Sequence, residues 1–443
     1  MAAQSITERL GEYLARVTFD DLPSDVVELG KTRVLNAMAV SIPGARIASS
    51  IAAWKAMRHA KGVCSIIGHA EKAPAADAAL ANGVAGHVLL QEDIGSGGHP
   101  GPVIIPTALA VGEQVSASGK EIIAAIVLGY ETQGRIFRGL TQHQSRAGFR
   151  SVSMIGVFGA AATASKLLKL DKEKTANALA FSASMASGVY QGFAEGTADC
   201  FYQAGFATRN GITAALIAEQ GGLASPLALE GANGFYRAFT GSTERVHEVV
   251  RGLGETFDIR DIQSKPYGTS SGNHDPIDLA VSIRGQLGSA KDIKWIILTV
   301  PASTRATAGK DSLPPYRNMT MAQMSLRFCV AAALLGRPVT SYEYFRDHYN
   351  DAEVEELAYR TQVVGEEGRR IVALEVRLQE GKSIRLEEDR SYKWKPNTQA
   401  LEKFFHETTK SVLDRSKGER IVDTIMGLDA VKDIHELTAQ VSG

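Results

Sequence analysis

Residues 81–110, ANGVAGHVLLQEDIGSGGHPGPVIIPTALA, join two apolar runs through a short polar loop. The first run stops at Gln91-Glu92-Asp93, and a glycine-rich loop from Gly95 to Gly98 delivers His99 directly before Pro100. Two apolar runs of this length predict two buried segments that meet at a flexible junction. Carboxylates and an imidazole at such a junction favour proton-transfer chemistry over a purely structural loop.

The composition is typical of a globular protein with a sizeable core. The chain has 443 residues, enough for two or three domains, and its formal net charge is −1. This balance predicts neither a nucleic-acid nor a membrane partner.

The cysteines Cys64, Cys200 and Cys329 lie far apart, which disfavours a CxxC metal site or a disulfide framework. With no signal-peptide pattern and no run of ~18 apolar residues, the sequence predicts a cytoplasmic protein.

Helical periodicity dominates both ends of the chain. One apolar face begins at Ile6, and the segment Glu121–Phe137 is apolar almost all round at its start, which predicts a place deep inside a helical bundle. After Pro396, Leu401 and Phe404 begin a further helical face.

The middle of the chain has a different pattern. Asp292–Val300 predicts a strand, and residues 374–386 alternate in polarity about the turn at Glu380-Gly381, which predicts a hairpin. Ala322–Leu335 predicts one buried helix between these strands.

The predicted fold class is therefore mainly α, with two parts. A large all-helical domain is formed by both chain ends, residues 1–266 and 393–443. An α+β domain is inserted between them at residues 267–392.

Three clusters of residues could carry chemistry, and the third lies at the predicted domain boundary, where ligand pockets are common. They are the loop of Glu92, Asp93 and His99; the segment Arg146–Arg150, which follows His143; and the segment Lys265–Asp278 with Lys265, Tyr267 and His274.

Each cluster also has a structural interpretation. His99 could cap a helix, Arg150 could pair with a surface carboxylate, and Lys265 could be a solvated loop lysine. His87, on an apolar run, is more typical of a core histidine. The glycines match neither GxGxxG nor GxxxxGK, so a nucleotide site has little support. A metal site built from Glu92, Asp93 and His99 lacks a fixed ligand spacing such as HExxH. A GxSxG nucleophile motif is also absent.

At these clusters the chain resembles the MmgE/PrpD family of 2-methylcitrate dehydratases and cis-aconitate decarboxylases. The family segment AH-x-LDFDD…HPS…P-A-LA is similar to residues 86–110, and GYE-x-x-x-R is similar to Gly129–Arg135. Further similar segments are Gly156–Leu170, Lys265–Asp278 and Ala322–Phe328. The order and spacing of these motifs extend the resemblance over nearly the whole chain.

The resemblance implies a helical domain with an inserted α+β lid, a homodimer, and a pocket between the two domains. It also implies a small polycarboxylate substrate and no metal or organic cofactor.

Four positions differ from the family pattern: Leu90 replaces an aspartate, Arg150 a histidine, Cys200 a lysine and Gln203 a histidine. These changes imply a rearranged pattern of carboxylate binding.

Removal of a proton next to a carboxylate needs a base and fixed positive charge. His99 is the predicted base or acid, Arg150 a carboxylate clamp, and Lys265 a second clamp or a proton donor. The other predicted catalytic or substrate-binding residues are Asp93, Glu92, Tyr267, His274, Cys200 and Gln203.

Elimination of water is the reaction that the resemblance favours. Epimerisation of an amino-dicarboxylate such as iminodisuccinate is the main alternative, and decarboxylation comes third. A metal-dependent hydratase and a non-catalytic binding protein remain further hypotheses.

Overall fold

A computed structural model describes residues 4–59, 61–95, 97–140, 148–388 and 394–443. His143 and Arg146 of the second cluster, and the expected boundary at residues 392 and 393, lie outside these residues. The predicted mainly α class is confirmed. Within the described residues, no single helix is long and apolar enough to cross a membrane; Ser24–Gly44 and Ala48–Met57 pass that test only as a pair, with a bend of 91°.

The first part of the chain is a helical bundle. Its first helix begins at Ile6 because Ser5 and Glu8 form a reciprocal capping box. A short two-stranded sheet, β1 (Cys64–Ser65) and β2 (Lys72–Ala73), interrupts the helices. These helices are α1 (Ile6–Arg16), α2 (Ser24–Gly44), α3 (Ala48–Met57), α4 (Ala75–Ala85), α5 (Gly101–Val115), α6 (Gly119–Arg138), α7 (Ser151–Met154), α8 (Gly156–Leu167), α9 (Lys172–Met185), α10 (Gln191–Glu195), α11 (Asp199–Glu219) and α12 (Phe235–Thr240).

The end of the chain returns to this bundle. Phe405, Ile425 and Leu437 are buried in the same hydrophobic core as Leu35 of α2. The burial of this apolar surface holds the two chain ends together. The returning helices are α19 (Thr398–Thr409), α20 (Arg415–Met426) and α21 (His435–Val441).

The replacement Gly119→Ala tests this packing. A Cβ atom at Gly119 would lie 1.6 Å from the backbone oxygen of Leu428, so α6 and the returning segment must separate. We expect a loss of about 1–3 kcal/mol of stability, as for other overpacked sites, and a lower midpoint of thermal unfolding. Gly288→Ala is the matched control, because nothing lies within 4 Å of its added Cβ. Equal midpoints for the two variants would contradict a close contact between α6 and the returning segment.

The inserted segment has a core of its own, which includes Ile277, Leu298, Phe328 and Leu374. Its four-stranded sheet has the order β4-β3-β5-β6, in which β3 and β4 are parallel and the other pairs antiparallel. Its elements are α13 (His274–Arg284), β3 (Ile293–Pro301), α14 (Ala302–Ala306), α15 (Met319–Met324), α16 (Leu326–Leu334), α17 (Tyr342–His348), α18 (Ala352–Tyr359), β4 (Thr361–Glu366), β5 (Val372–Leu378) and β6 (Ser383–Glu388).

The strands of this segment follow the sequence pattern, but one helix does not. The predicted hairpin is confirmed: Val376 pairs with Ile384 across β5 and β6. The single helix predicted over residues 322–335 is wrong, because the helical run breaks at Ser325 between α15 and α16. Ser325 is extended, and its hydroxyl accepts a hydrogen bond from the backbone N–H of Phe328, so it caps the second helix.

Candidate active site

The loop that carries the first cluster starts with a tight turn after α4. Leu90 has a φ of +53°, a left-handed conformation that is uncommon for a residue with a branched side chain. The amide of Gln323, from the inserted segment, donates a hydrogen bond of 2.9 Å to the preceding carbonyl of Leu89. Contacts of this kind hold the strained turn in place.

Asp93 fixes the other end of this loop. Its Oδ1 accepts a hydrogen bond of 2.8 Å from the backbone N–H of Gly101, the first residue of α5, and its Oδ2 accepts one of 2.6 Å from the Tyr130 hydroxyl. A Cβ atom at Gly101 would lie 2.6 Å from Oδ1, so this approach requires glycine. Asp93 therefore positions the loop that carries His99.

A backbone bridge brings the first and third clusters together. Ile94 and Gln263 exchange hydrogen bonds of 2.7 and 2.8 Å. This bridge places Glu92 beside Lys265, although the two are 173 positions apart in sequence, and their Oε1 and Nζ atoms are 2.9 Å apart. Both side chains are buried, so this is an ion pair inside the protein.

Glu92 is also the partner of two imidazoles. Its Oε1 lies 2.8 Å from Nδ1 of His99 and 3.3 Å from Nδ1 of His87. Burial alone would raise the pKa of Glu92, but the charge of Lys265 and the two imidazoles outweigh it and hold that pKa well below its usual value. Glu92 is therefore a carboxylate at neutral pH.

The contact with Glu92 determines how His99 can act. Burial lowers the pKa of His99 despite the opposing charge of Glu92, so the ring is neutral near pH 7. A neutral ring carries one N–H. The carboxylate of Glu92 favours that proton on Nδ1, so Nε2 carries none. The side chain is 19% exposed and lines a cavity, so Nε2 can accept a proton from a bound molecule.

Arg150 lines the same cavity and is fixed there by several partners. One guanidinium nitrogen, Nη2, lies 2.5 Å from Nε2 of His87, and the other, Nη1, donates a hydrogen bond of 2.5 Å to the carbonyl of Cys200. Burial lowers the pKa of His87 to about 3, so its neutral ring accepts from the guanidinium. His87 is fully buried, as the sequence favoured, and it also links Arg150 to Glu92.

Cys200 and Gln203 support Arg150 and do not line the cavity. The Cys200 thiol donates to the carbonyl of Thr197 at 3.2 Å, and burial raises its pKa to about 12, so it is not a thiolate. Oε1 of Gln203 lies 3.4 Å from Nη1 of Arg150, while its Nε2 donates to Val189. A direct substrate contact by either residue stays a prediction.

The cavity has a volume of about 260 Å³ and lies between the bundle and the inserted segment. That is just below the usual range for ligand pockets, about 300–1,000 Å³, and it suits a small acid. The bundle side is lined by Leu90, His99, Arg150, Tyr190, Phe193 and Lys265. The inserted segment contributes Ser270, Ser271, Gly272, Thr304, Thr307, Lys310 and Met324.

Tyr267 and His274 lie outside this lining. The Tyr267 hydroxyl donates a hydrogen bond of 2.6 Å to Asp278, and its ring packs edge-on against His274 with centroids 5.4 Å apart. Burial, with the charges of Lys265 and Lys310, holds the pKa of His274 well below its usual value. The geometry places both rings in the packing around α13, and the predicted substrate contacts of these two residues stay predictions.

Sequence reasoning missed Lys310. This lysine is 2% exposed, lines the cavity and donates a hydrogen bond of 2.7 Å to Oδ1 of Asn273. It follows a glycine in an irregular stretch without a motif, as many surface lysines do, so no signal in the sequence marked it.

Two family models match the chain. The model of the MmgE/PrpD N-terminal domain matches residues 8–247, and that of the MmgE/PrpD C-terminal domain matches residues 267–388. The chain belongs to the MmgE/PrpD family. This confirms the resemblance predicted from the motifs.

Curated relatives of this MmgE/PrpD chain match over nearly its full length. A protein named cis-aconitate decarboxylase from Aspergillus terreus is 26% identical over 98% of this chain and 96% of the relative. A cis-aconitate decarboxylase-like protein, oryM, from Aspergillus oryzae is 26% identical over 99% of this chain and 98% of the relative. The human protein named cis-aconitate decarboxylase is 24% identical over 100% of this chain and 96% of the relative.

In this MmgE/PrpD chain, Glu92, Asp93 and His99, the residues considered as metal ligands, do not all face one point. Asp93 faces Tyr130 and Gly101, whereas Glu92 faces His99 and Lys265. Across the ranges that the structure describes, no group of three or more His, Cys, Asp or Glu side chains is placed to hold a metal ion.

Proposed function

We propose that this MmgE/PrpD chain is a cofactor-independent lyase that removes a proton next to a carboxylate of a small di- or tricarboxylate and eliminates water. The supporting observation is the neutral imidazole of His99, held on Glu92, in one cavity with the cations of Arg150 and Lys265. The family and the lyase names of its relatives agree with this class of reaction.

In the proposed step, Nε2 of His99 takes the proton from the α-carbon while the cation of Arg150 stabilises the charge that develops on the carboxylate. The electron pair of the broken C–H bond forms the C=C bond, and the C–O bond to the leaving hydroxide breaks. Burial lowers the pKa of Lys265, which favours proton donation from its ammonium to that hydroxide.

Glu92 suits this pair of proton transfers because it contacts both groups. The step adds a positive charge at His99 and removes one at Lys265, both within 3 Å of the same carboxylate oxygen. The carboxylate therefore keeps one cationic partner throughout, and no uncompensated charge is left in the buried site. This feature favours a reaction that needs both a base and an acid.

Decarboxylation of cis-aconitate is the second candidate, and the names of the relatives favour it. It would reach a carbanion by loss of carbon dioxide and would need only a proton donor. The recovered substrate would then show no exchange of its C–H protons with solvent.

Incubation with a panel of di- and tricarboxylates in deuterated water, followed by NMR, separates these reactions. The panel includes 2-methylcitrate, citrate, cis-aconitate and an amino-dicarboxylate. We expect formation of an alkene from a hydroxy acid. Deuterium incorporation without net conversion would indicate epimerisation, and loss of carbon dioxide would indicate a decarboxylase. If no member of the panel is converted or exchanges protons with solvent, the proposed activity is contradicted.

The pH profile of kcat/KM tests the role of His99 as base. Only the neutral ring can accept a proton, and burial lowers the pKa of His99 from its ordinary value of 6.5. Activity should therefore fall as the pH drops through an acidic limb centred below 6.5. Initial rates at saturating and at low substrate concentrations give this limb, and a midpoint at or above 6.5 would count against the assignment.

A further inference from the structure

The cavity has two poles of different chemistry. The bundle side carries the proton-transfer group His99 and the cations Arg150 and Lys265. The opposite side, from the inserted segment, carries Lys310 among the hydroxyl groups of Ser270, Ser271, Thr304 and Thr307. The proposed reaction uses only the first pole.

We propose that Lys310 and these hydroxyl groups form a subsite for a second carboxylate of the substrate, and that the Lys310 amine takes up a proton when that carboxylate binds. The inference rests on the proposed function, because it names the acid that the cavity takes: one with carboxylates at two separated positions.

The position of the Lys310 amine is fixed by neutral groups. Asn273 accepts from Nζ, and its own amide nitrogen donates to the carbonyls of Gln323 and Met324 at 3.0 and 3.2 Å. A Cβ atom at Gly272 would lie 3.0 Å from Nζ, so the missing side chain at that position leaves room for the amine. The amine is thus held at the wall by the fold, without a substrate.

Among the residues that the structure describes, no carboxylate forms an ion pair with this amine. The titratable groups that act on it are Cys329 and Lys265, and it acts in turn on His274. Burial raises the pKa of the Cys329 thiol to about 12 and keeps His274 neutral, so neither supplies a negative charge. Asp311, the next residue, pairs with Arg305 and Arg327. Burial therefore lowers the pKa of Lys310 to about 7.

A bound polycarboxylate would supply the missing anion. With neutral histidines, the charges of Arg150 and Lys265 in the cavity wall and of Glu92, which contacts Lys265, sum to +1, which leaves a second carboxylate uncompensated. A carboxylate beside Nζ favours its charged form, so binding and protonation are linked. Hydroxyl groups beside the amine can donate further hydrogen bonds to the same carboxylate.

Isothermal titration calorimetry with propane-1,2,3-tricarboxylate tests this linkage without turnover. Titrations at pH 8 in HEPES and in Tris give the number of protons taken up, because the two buffers differ in ionisation enthalpy. We expect the wild-type protein to take up most of one proton per ligand, since pH 8 is above the Lys310 pKa of about 7. The affinity should fall as the pH rises through that value.

Two variants and a control assign the effect to Lys310. Lys310→Met should bind roughly ten- to a hundredfold more weakly and lose the proton uptake. Lys310→Arg, which keeps the charge at all pH values, should bind without uptake and shows that the subsite still folds. Lys291→Met, at an exposed lysine of the same segment, should match the wild type.

The outcomes separate this inference from the proposed function. Wild-type affinity in Lys310→Met, or undiminished proton uptake in Lys310→Arg, would overturn the subsite while leaving the proposed function intact. Failure of the wild-type protein to bind any polycarboxylate would overturn both. Binding with uptake at Lys310 but no reaction of the panel acids would support the subsite and contradict the lyase.

Discussion

His99→Asn is expected to lower kcat about 10²–10⁴-fold, the usual contribution of general acid–base catalysis. The asparagine amide can still donate a hydrogen bond towards Glu92, but it has no basic nitrogen in the place of Nε2. KM should change little, because the cations that bind the substrate remain. Initial rates and deuterium exchange on the acid identified by NMR measure both effects.

His247→Asn is the matched control, because this histidine is 67% exposed and lies away from the cavity. It should leave kcat and exchange unchanged. Exchange at the wild-type rate in His99→Asn would remove His99 from its proposed role, whatever the net reaction proves to be.

Glu92→Gln is expected to reduce both activity and stability. The neutral amide cannot balance the charge of Lys265 or of a protonated His99, so both proton transfers lose their common partner. Removal of one member of a buried ion pair typically costs about 3–5 kcal/mol, because the other charge stays buried. Thermal unfolding and initial rates measure the two losses.

A double variant separates lost pairing from general damage. If the cost comes from the unpaired ammonium, Glu92→Gln/Lys265→Met should unfold at a higher temperature than Glu92→Gln alone. Glu419→Gln, which breaks the exposed ion pair with Arg415, should change the midpoint little. A double variant less stable than the single one would show that Lys265 is not an uncompensated charge in Glu92→Gln.

Local patterns in the sequence were enough to predict the mainly α class and the β5–β6 hairpin. Alternation about Gly381 predicts the β5–β6 hairpin, and helical spacing predicts the bundle, because each signal arises within one element. The break at Ser325 was missed because the apolar run continues on both sides of it, so the cap depends on a single hydroxyl.

The site was predictable only in part because its contacts are long-range. Glu92 and His99 were candidates in one cluster and Lys265 in another, and the Ile94–Gln263 bridge brings the two clusters into contact. Sequence spacing could not show that Asp93 accepts a hydrogen bond from the first residue of α5. Lys310 had no motif, and its place on the wall depends on the side chain of Asn273.

A crystal structure of the complex with propane-1,2,3-tricarboxylate shows whether one acid reaches both sides of the cavity. We expect one carboxylate on Arg150, another on Lys310, and Nε2 of His99 facing the carbon between them. A ligand bound outside this cavity, or Nε2 of His99 turned away from it onto another protein group, would contradict the roles proposed for His99 and Lys310.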